Sequence, residues 1–350
     1  MRTHQYTECC GGNAANIAVA LTRLGTSVRL LTTLGDDPAG VWLHDDLQAH
    51  ARMDLAWVQQ RPRTTTGITH IVVDPTSRTC FHTPGTCGEY DASPIGATTR
   101  TPAFWENVVH VHSDTRHATA ALAVARMAKK QGSITVSVDV EKDRTSDDFE
   151  ALVALADIVF TNDAASSYWE QFRDEYSTLP RSFVLGPSLA HLSAQQRQLV
   201  QSSTSQPLYC THSRYQTIVY THGHHGATRI QRKGGDNGDN FDLDAAGILR
   251  DVSVVDTTGA GDALIGGYLH ALYHEYPRAV TPNNDGELLL ATVDPLPFGC
   301  WVAGCKVTRE GAQAGLPTRQ QVRQQLGGDV LAIQQTLSGK LTLFRSTSLE

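Results

Sequence analysis

The chain has 350 residues, 40% hydrophobic and 19% charged, which is the composition of a globular protein with room for one large α/β domain or two ordinary ones. A net charge of −7, with no basic run longer than Lys129-Lys130, argues against nucleic acid as a partner. Seven cysteines without a Cys-x-x-Cys pair fit reduced thiols in a cytoplasmic protein; the N-terminus does not read as a signal peptide, and the most apolar window, Ala118–Ala128, is too short to span a membrane.

Gly11-Gly12-Asn13 opens a helix that runs to Leu24, with Ala14, Ile17, Ala18 and Leu21 on one face and Gly25 as its stop. Asn13 and Asn16, three apart in its first turn, present their amides in one direction. They suit sugar hydroxyls, or equally an N-cap with a solvent-facing Asn. Val28–Leu34 reads as a strand, and Gly35-Asp36-Asp37-Pro38 as a turn leading into a helix over Val41–Met53, with Pro38 at its first position. Thr65–Val73 and Thr79–Thr83 flank Asp74-Pro75-Thr76-Ser77, a hairpin signal and the expected lid.

From Val108 the pattern alternates. Strands are expected at Val108–His112, Ile134–Val140 and Ile158–Thr161 (reaching Asn162), with helices at Ala118–Lys130, Asp147–Ala156 and Ala164–Phe172. Such alternation implies a mostly parallel sheet covered on both faces. Gly186–Gln206 reads as one amphipathic helix, and Thr217–Thr221 as a strand turning through Gly223 and Gly226 into a return strand that ends at Ile230. Arg232–Asp244 and Glu275–Asp294 read as loop insertions, the first a mobile one, and Phe298–Val307 as a helix in which Cys300 and Cys305 pack. His110/His112 and His222/His224/His225 lack convergent Asp, Glu or Cys at ligand spacing, so hydrogen-bonded or surface histidines are the preferred reading.

The chain is organised around Val254-Val255-Asp256-Thr257-Thr258-Gly259-Ala260-Gly261-Asp262 and the apolar helix that follows it. Two glycines uncover consecutive N–H groups, and the helix adds its unpaired amides and the positive end of its dipole, so an anion is favoured there. Asp262, in that first turn, can take a proton from a hydroxyl attacking a phosphate; the plainer alternative is a turn with Asp262 as a helix cap. A dinucleotide loop fits poorly, since a third glycine is missing, and no Gly-x-x-x-x-Gly-Lys-Ser/Thr run exists.

Taken together, Gly11-Gly12-Asn13-Ala14-Ala15-Asn16 and Asp256–Asp262 resemble the two signatures of the ribokinase-like (PfkB) carbohydrate kinases. That resemblance implies a three-layer α/β/α sandwich with a mostly parallel sheet and a small β-lid. It places one domain over residues 1–326, with the lid at 65–83, insertions at 232–244 and 275–294, and a tail over 327–350. By the same likeness Asp262 is the catalytic base, and Gly259, Ala260 and Gly261 form the anion hole. Gly12, Asn13, Asn16, Arg116 and Arg144 hold the sugar; Asn162, Thr221, Gly223, Gly226, Thr257, Cys300 and Gly304, with Gly259 and Gly261, hold the nucleotide. The cofactors implied are ATP, Mg²⁺ and K⁺, with no metal ligands indicated. The partners are a sugar and ATP, and a second copy through the lid, with no nucleic acid or membrane.

Ser137-Val138-Asp139-Val140-Glu141-Lys142-Asp143-Arg144 and Phe298-Gly299-Cys300-Trp301-Val302-Ala303-Gly304 are most similar to the ketohexokinase branch, which implies a ketohexose such as fructose. Ribose, adenosine and 2-keto-3-deoxygluconate are the alternatives within the family, and a non-catalytic sugar- or nucleotide-binding relative is the alternative outside catalysis. Two departures bear on this. Ala165 stands where many relatives have Glu after Asn162. Met1–Cys10 shows neither the central strand nor the sugar-binding Asp that precede the first motif in relatives, so the expectation is a shortened sheet, low stability and weak activity.

Overall fold

The computed structural model describes residues 6–73, 78–96, 101–142, 144, 146–162, 217–233, 240–249, 251–273, 281–282, 288–289 and 293–324. Helix α1 (Asn13–Leu24) starts at Gly12, whose φ of +100° suits glycine, and no side chain caps it. It stops at Gly25 in the left-handed conformation, whose N–H reaches the Leu21 and Thr22 carbonyls. Strands β1 (Val28–Arg29) and β2 (Thr33–Gly35) follow, and helix α2 (Pro38–Gln48) is capped by Asp37, which accepts from the Gly40 N–H. β1 pairs in parallel with β3 (Met53–Asp54), and β2 with β4 (Gln59–Arg61).

The expected single strand over Val28–Leu34 is therefore two. Leu30 still bonds to the Asp54 carbonyl (3.0 Å), after which the chain moves on to pair with Gln59–Arg61. The helix read to Met53 ends at Gln48 because Met53 is needed opposite Val28.

Strands β5 (Ile68–Val73) and β6 (Arg78–Thr83) form an antiparallel hairpin. Its register puts Ile68, His70, Val72 and Phe81 on one face, and Thr69, Ile71, Cys80 and His82 on the other. Two short helices, α3 (Ser93–Gly96) and α4 (Thr101–Trp105), lead to the main sheet.

Strands β7 (His110–Ser113), β8 (Thr135–Val140), β9 (Ile158–Asn162) and β10 (Thr217–Thr221) run parallel; β11 (Ala227–Lys233) and β12 (Asn240–Ala246) continue antiparallel, in the order β12-β11-β10-β9-β8-β7. Side chains alternate between two cores. Val136, Val138, Val140 and Val159 pack with helices α5 (Ala118–Lys130) and α6 (Asp147–Leu155). Ile158, Phe160 and Val219 face α7 (Ala260–Tyr273) and α8 (Pro295–Lys306) on the other side. The result is the three-layer α/β/α sandwich with a mostly parallel sheet.

α7 is pinned between α1 and α8 by close approach. A Cβ on Gly266 would lie 2.6 Å from the Ala20 Cβ, and one on Gly267 would lie 2.8 Å from Val302 Cγ2.

The stretch Arg232–Asp244 is not a free loop: Arg232, Lys233 and Asn240–Asp244 lie on the β11–β12 hairpin, registered from Ala227↔Ala246 to Lys233↔Asn240. In the 275–294 stretch, Thr281–Pro282 pairs with Leu288–Leu289. Residues 6–12 form no strand among the described residues. The helices expected at Ala164–Phe172 and Gly186–Gln206, and the tail over 327–350, lie outside the described residues.

Candidate active site

The Asp256 carboxylate shapes the glycine turn by accepting from the Thr258 N–H (2.8 Å) and, across the fold, from the Gly311 N–H (2.9 Å). The buried Lys306 ammonium of α8 donates to the Asp256 carbonyl at 2.6 Å, so the segment entering the turn is held from both sides. Gly259 has a φ of +75°, and a Cβ there would sit 2.8 Å from the Ala312 Cβ; glycine is required. A Cβ on Gly261 would meet nothing within 4 Å, because that residue faces open space. The Ala260 N–H is bonded to the Thr257 carbonyl (3.1 Å). Of the three amides expected to receive an anion, those of Gly259 and Gly261 are the two without a hydrogen bond among the described residues. Thr257 lies exposed beside them.

Asp262 follows in the first turn of α7 and is 8% exposed. Its Oδ2 accepts from Asn16 Nδ2 at 2.7 Å, across the α1–α7 contact. Burial pushes its carboxyl from an ordinary 3.8 up to about 7; the Asn16 amide and the Arg116 charge oppose that, and Glu141 and Asp114 add to it. Asp139, at the end of β8, is also buried; burial, then the charges of Asp262, Glu141 and Asp114, raise its carboxyl well above the usual range. A carboxylate that titrates near neutrality beside open backbone amides has the properties of a general base.

Asn13 donates to Glu141 Oε2 (3.1 Å) and accepts from the Arg116 guanidinium (3.5 Å), while Arg116 also faces Asp114 at 3.8 Å. Asn13 and Asn16 are thus neither caps nor solvent-facing: Gly12 is the N-cap, and both amides are spent on carboxylates around one site. Arg144 contributes charge next to Asp139, and its Nε is buried with no partner among the described residues. On the β5–β6 hairpin, His82 lies on the face opposite Phe81, and burial, then the charges of Arg116, Lys142 and Arg144, lower its ring from the ordinary histidine value.

Of the residues expected to hold the nucleotide, Asn162 and Thr221 are register partners at the adjacent ends of β9 and β10. Gly223 (φ +55°) and Gly226 (φ +97°) make the turn after β10; a Cβ on Gly226 would fall 2.1 Å from the Ala246 carbonyl oxygen. Cys300 and Gly304 sit elsewhere in character. Cys300 is buried with its Sγ towards the Ala246 carbonyl, and a Cβ on Gly304 would lie 2.4 Å from the Leu249 Cβ, so both positions are dictated by helix packing. His110 bonds to Thr135, Tyr273 and Ser137, and His112 to Ser137; burial pushes both rings down to about 3.

A model of the family described as pfkB family carbohydrate kinase matches residues 1–319. The chain belongs to this family. Its members' chemistry makes it an ATP-dependent phosphotransferase acting on a sugar or nucleoside. It is 28% identical over 312 residues to the ATP-dependent ribose-1-phosphate kinase of Halopiger xanaduensis, covering 89% of this chain and 84% of that one. It is 24% identical to the ribokinase of Haemophilus influenzae, over 90% of this chain and 87% of that one. Among solved structures, the ribokinase of Giardia lamblia superposes with a TM-score of 0.61 at 20% identity, covering 91% and 88% of the two chains. The nucleoside kinase of Burkholderia thailandensis in complex with inosine superposes at 0.58, also with 20% identity, covering 91% and 86%. No helix among the described residues is long and apolar enough to cross a membrane.

Four residues escape a reading of the sequence alone: Asp139, Glu141, Lys306 and Gln313. Glu141 and Asp139 lie at the end of β8, where the local pattern is only that of a strand end. Gln313 donates to Asn16 Oδ1 (3.0 Å) from a turn with no motif of its own.

Proposed function

We propose that this kinase transfers the γ-phosphoryl group of ATP to a hydroxyl of a ribose-type sugar, with Asp262 as the base. The observation carrying this is the junction at Asp262, a buried carboxyl titrating near neutrality between open helix-terminal amides and the Asn13/Asn16 amides. The acceptor lies against Gly12, Asn13 and Asn16, beneath the lid. Its hydroxyl gives its proton to Asp262 as the oxygen attacks the γ-phosphorus. The Gly259 and Gly261 amides and the dipole of α7 receive the γ-phosphate oxygens, and Arg116 and Arg144 offset their charge in transfer. Mg²⁺ bound with ATP would neutralise phosphate charge, and Asp139 and Glu141, the carboxylates that act on Asp262 in this site, would hold it.

The ribose reading is supported by the names of three relatives, which act on ribose 1-phosphate, ribose and aminoimidazole riboside. The ketohexose reading is favoured by the 137–144 and 298–304 segments, but the second of these follows helix packing rather than sugar contact. Asn162, Thr221, Gly223, Gly226 and Thr257 border the nucleotide in this account, K⁺ is a candidate activator, and the apolar lid face is a candidate dimer surface. The test is ADP release with ribose, ribose 1-phosphate, a nucleoside and fructose, each in K⁺ and in Na⁺. Highest kcat/KM on a ribosyl acceptor supports the reading, and preference for fructose overturns it in favour of the second.

A further inference from the structure

Asp262 is held by a chain of side chains that reaches beyond the two motifs. Gln313 lies in the turn after α8, in the same loop whose Gly311 N–H bonds Asp256 and whose Ala312 abuts Gly259. Its Nε2 donates to Asn16 Oδ1 at 3.0 Å, and Asn16 Nδ2 donates to Asp262 Oδ2 at 2.7 Å. An ionised carboxylate only accepts, so Asn16 must turn its NH₂ towards Asp262 and its carbonyl oxygen away. That oxygen then needs a donor, and among the described residues the NH₂ of Gln313 is the one that meets it. Each amide therefore has one allowed orientation when Asp262 is ionised. The Gln313 backbone is itself fastened, its carbonyl accepting from the Arg23 guanidinium at 3.3 Å.

We propose that Gln313 is a positioning residue for phosphoryl transfer: it locks Asn16 in the orientation that donates to Asp262 and so favours the ionised base. The proposal rests on Asp262 being the base. Its energetic sense follows from where the groups sit. Burial drives Asp262 towards its protonated form, Glu141, Asp114 and Asp139 push the same way, and Arg116 and the Asn16 amide push back. Asn16 is the one neutral group in that balance, and its sign depends on which end of the amide faces the carboxyl. Reversed, its oxygen would confront the carboxylate and favour the protonated, inactive form. Lys306 of α8 is committed to the Asp256 carbonyl, and Arg23 to the Gln313 carbonyl, so neither substitutes for the lost donor.

The chain also links the two substrates. The loop that carries Gln313 braces the phosphate-facing turn through Gly311 and Ala312, while Asn16 belongs to the acceptor side. Gln313 thus places the base from the nucleotide side of the site.

The experiment measures ATP-dependent phosphorylation from pH 5 to 9 for the wild type, Gln313→Met and Gln313→Glu, alongside Asp262→Asn. Losing a hydrogen bond of ordinary net strength is a three- to tenfold change, so Gln313→Met should move the acid limb of kcat up by about half to one pH unit. Gln313→Glu, which accepts from Asn16 and reverses it, should move that limb at least as far, with activity recovering towards pH 9 and ATP affinity little changed. An acid limb unmoved in Gln313→Met, with activity lowered equally at every pH or only the melting temperature reduced, overturns the proposal and leaves a packing role. Movement in Gln313→Glu alone also overturns it, because added charge would then suffice. If Gln313→Glu does not fold, the Met variant decides. Should Asp262→Asn retain the wild-type rate, the base assignment itself has failed, a result distinct from an unmoved limb beside an inactive Asp262→Asn.

Discussion

Asp262→Asn separates catalysis from stability, because the structure asks opposite things of the same carboxyl. Burial holds Asp262 near 7 against an ordinary 3.8. Between those values the folded chain binds a proton that the unfolded chain has released. Stability contributed by this group is therefore present at pH 4 and lost as pH rises through about 7, with a ceiling of about 4 kcal/mol for a shift of this size. Asparagine has the same shape, still accepts from Asn16, and has no charge to bury. Relative to wild type, Asp262→Asn should gain a few kcal/mol of unfolding free energy between pH 4.5 and pH 8, read from urea melts at both pH values. Acceptor phosphorylation at pH 8 should meanwhile fall by about 10²–10⁴-fold, since the amide cannot take the hydroxyl proton. A variant whose stability difference from wild type is the same at both pH values would refute the burial argument. One that phosphorylates at near the wild-type rate would refute the role.

The two glycines of the anion turn should respond differently. Gly259→Ala forces a positive φ on alanine and a 2.8 Å contact with Ala312, so urea melts should show a loss of about 2–4 kcal/mol; an unchanged midpoint would contradict the close packing. Gly261→Val meets no neighbour, so its melt should match wild type while calorimetric affinity for a non-hydrolysable ATP analogue falls at least about tenfold as the side chain covers the amides; full affinity would make the turn merely structural. Glu141→Gln removes a charge that raises Asp262, so the acid limb of the pH–rate profile should move to lower pH, and a limb moving upward would contradict the assigned electrostatics.

What the sequence made legible was whatever local chemistry encodes. Glycine next to the start of an apolar helix announces a turn, and the spacing of Asn13 and Asn16 announces one direction on a helix face. The alternation from Val108 to Asn162 carried the parallel sheet because buried strands and amphipathic helices differ in period. The split of β1 from β2 was not legible, since both lie in one apolar run and only the partner strands distinguish them. Arg232–Asp244 looked like a loop because its Gly, Asp and Asn are poor strand formers, yet β11 and β12 pair through much of it. Gln313 and Lys306 were hidden for a different reason. A polar residue in a turn and a lysine at a helix end look solvent-facing until tertiary contacts half-bury the first and bury the second.

The central claim is that a carboxyl held near neutrality by burial takes the acceptor's proton. Transfer of labelled γ-phosphate from ATP to a ribosyl acceptor, followed from pH 5 to 9, tests it most directly. The account predicts acceptor-dependent label transfer that is level at high pH and falls about tenfold per pH unit below about 7. Label transfer that stays flat down to pH 5, or release of labelled phosphate without acceptor, would contradict it.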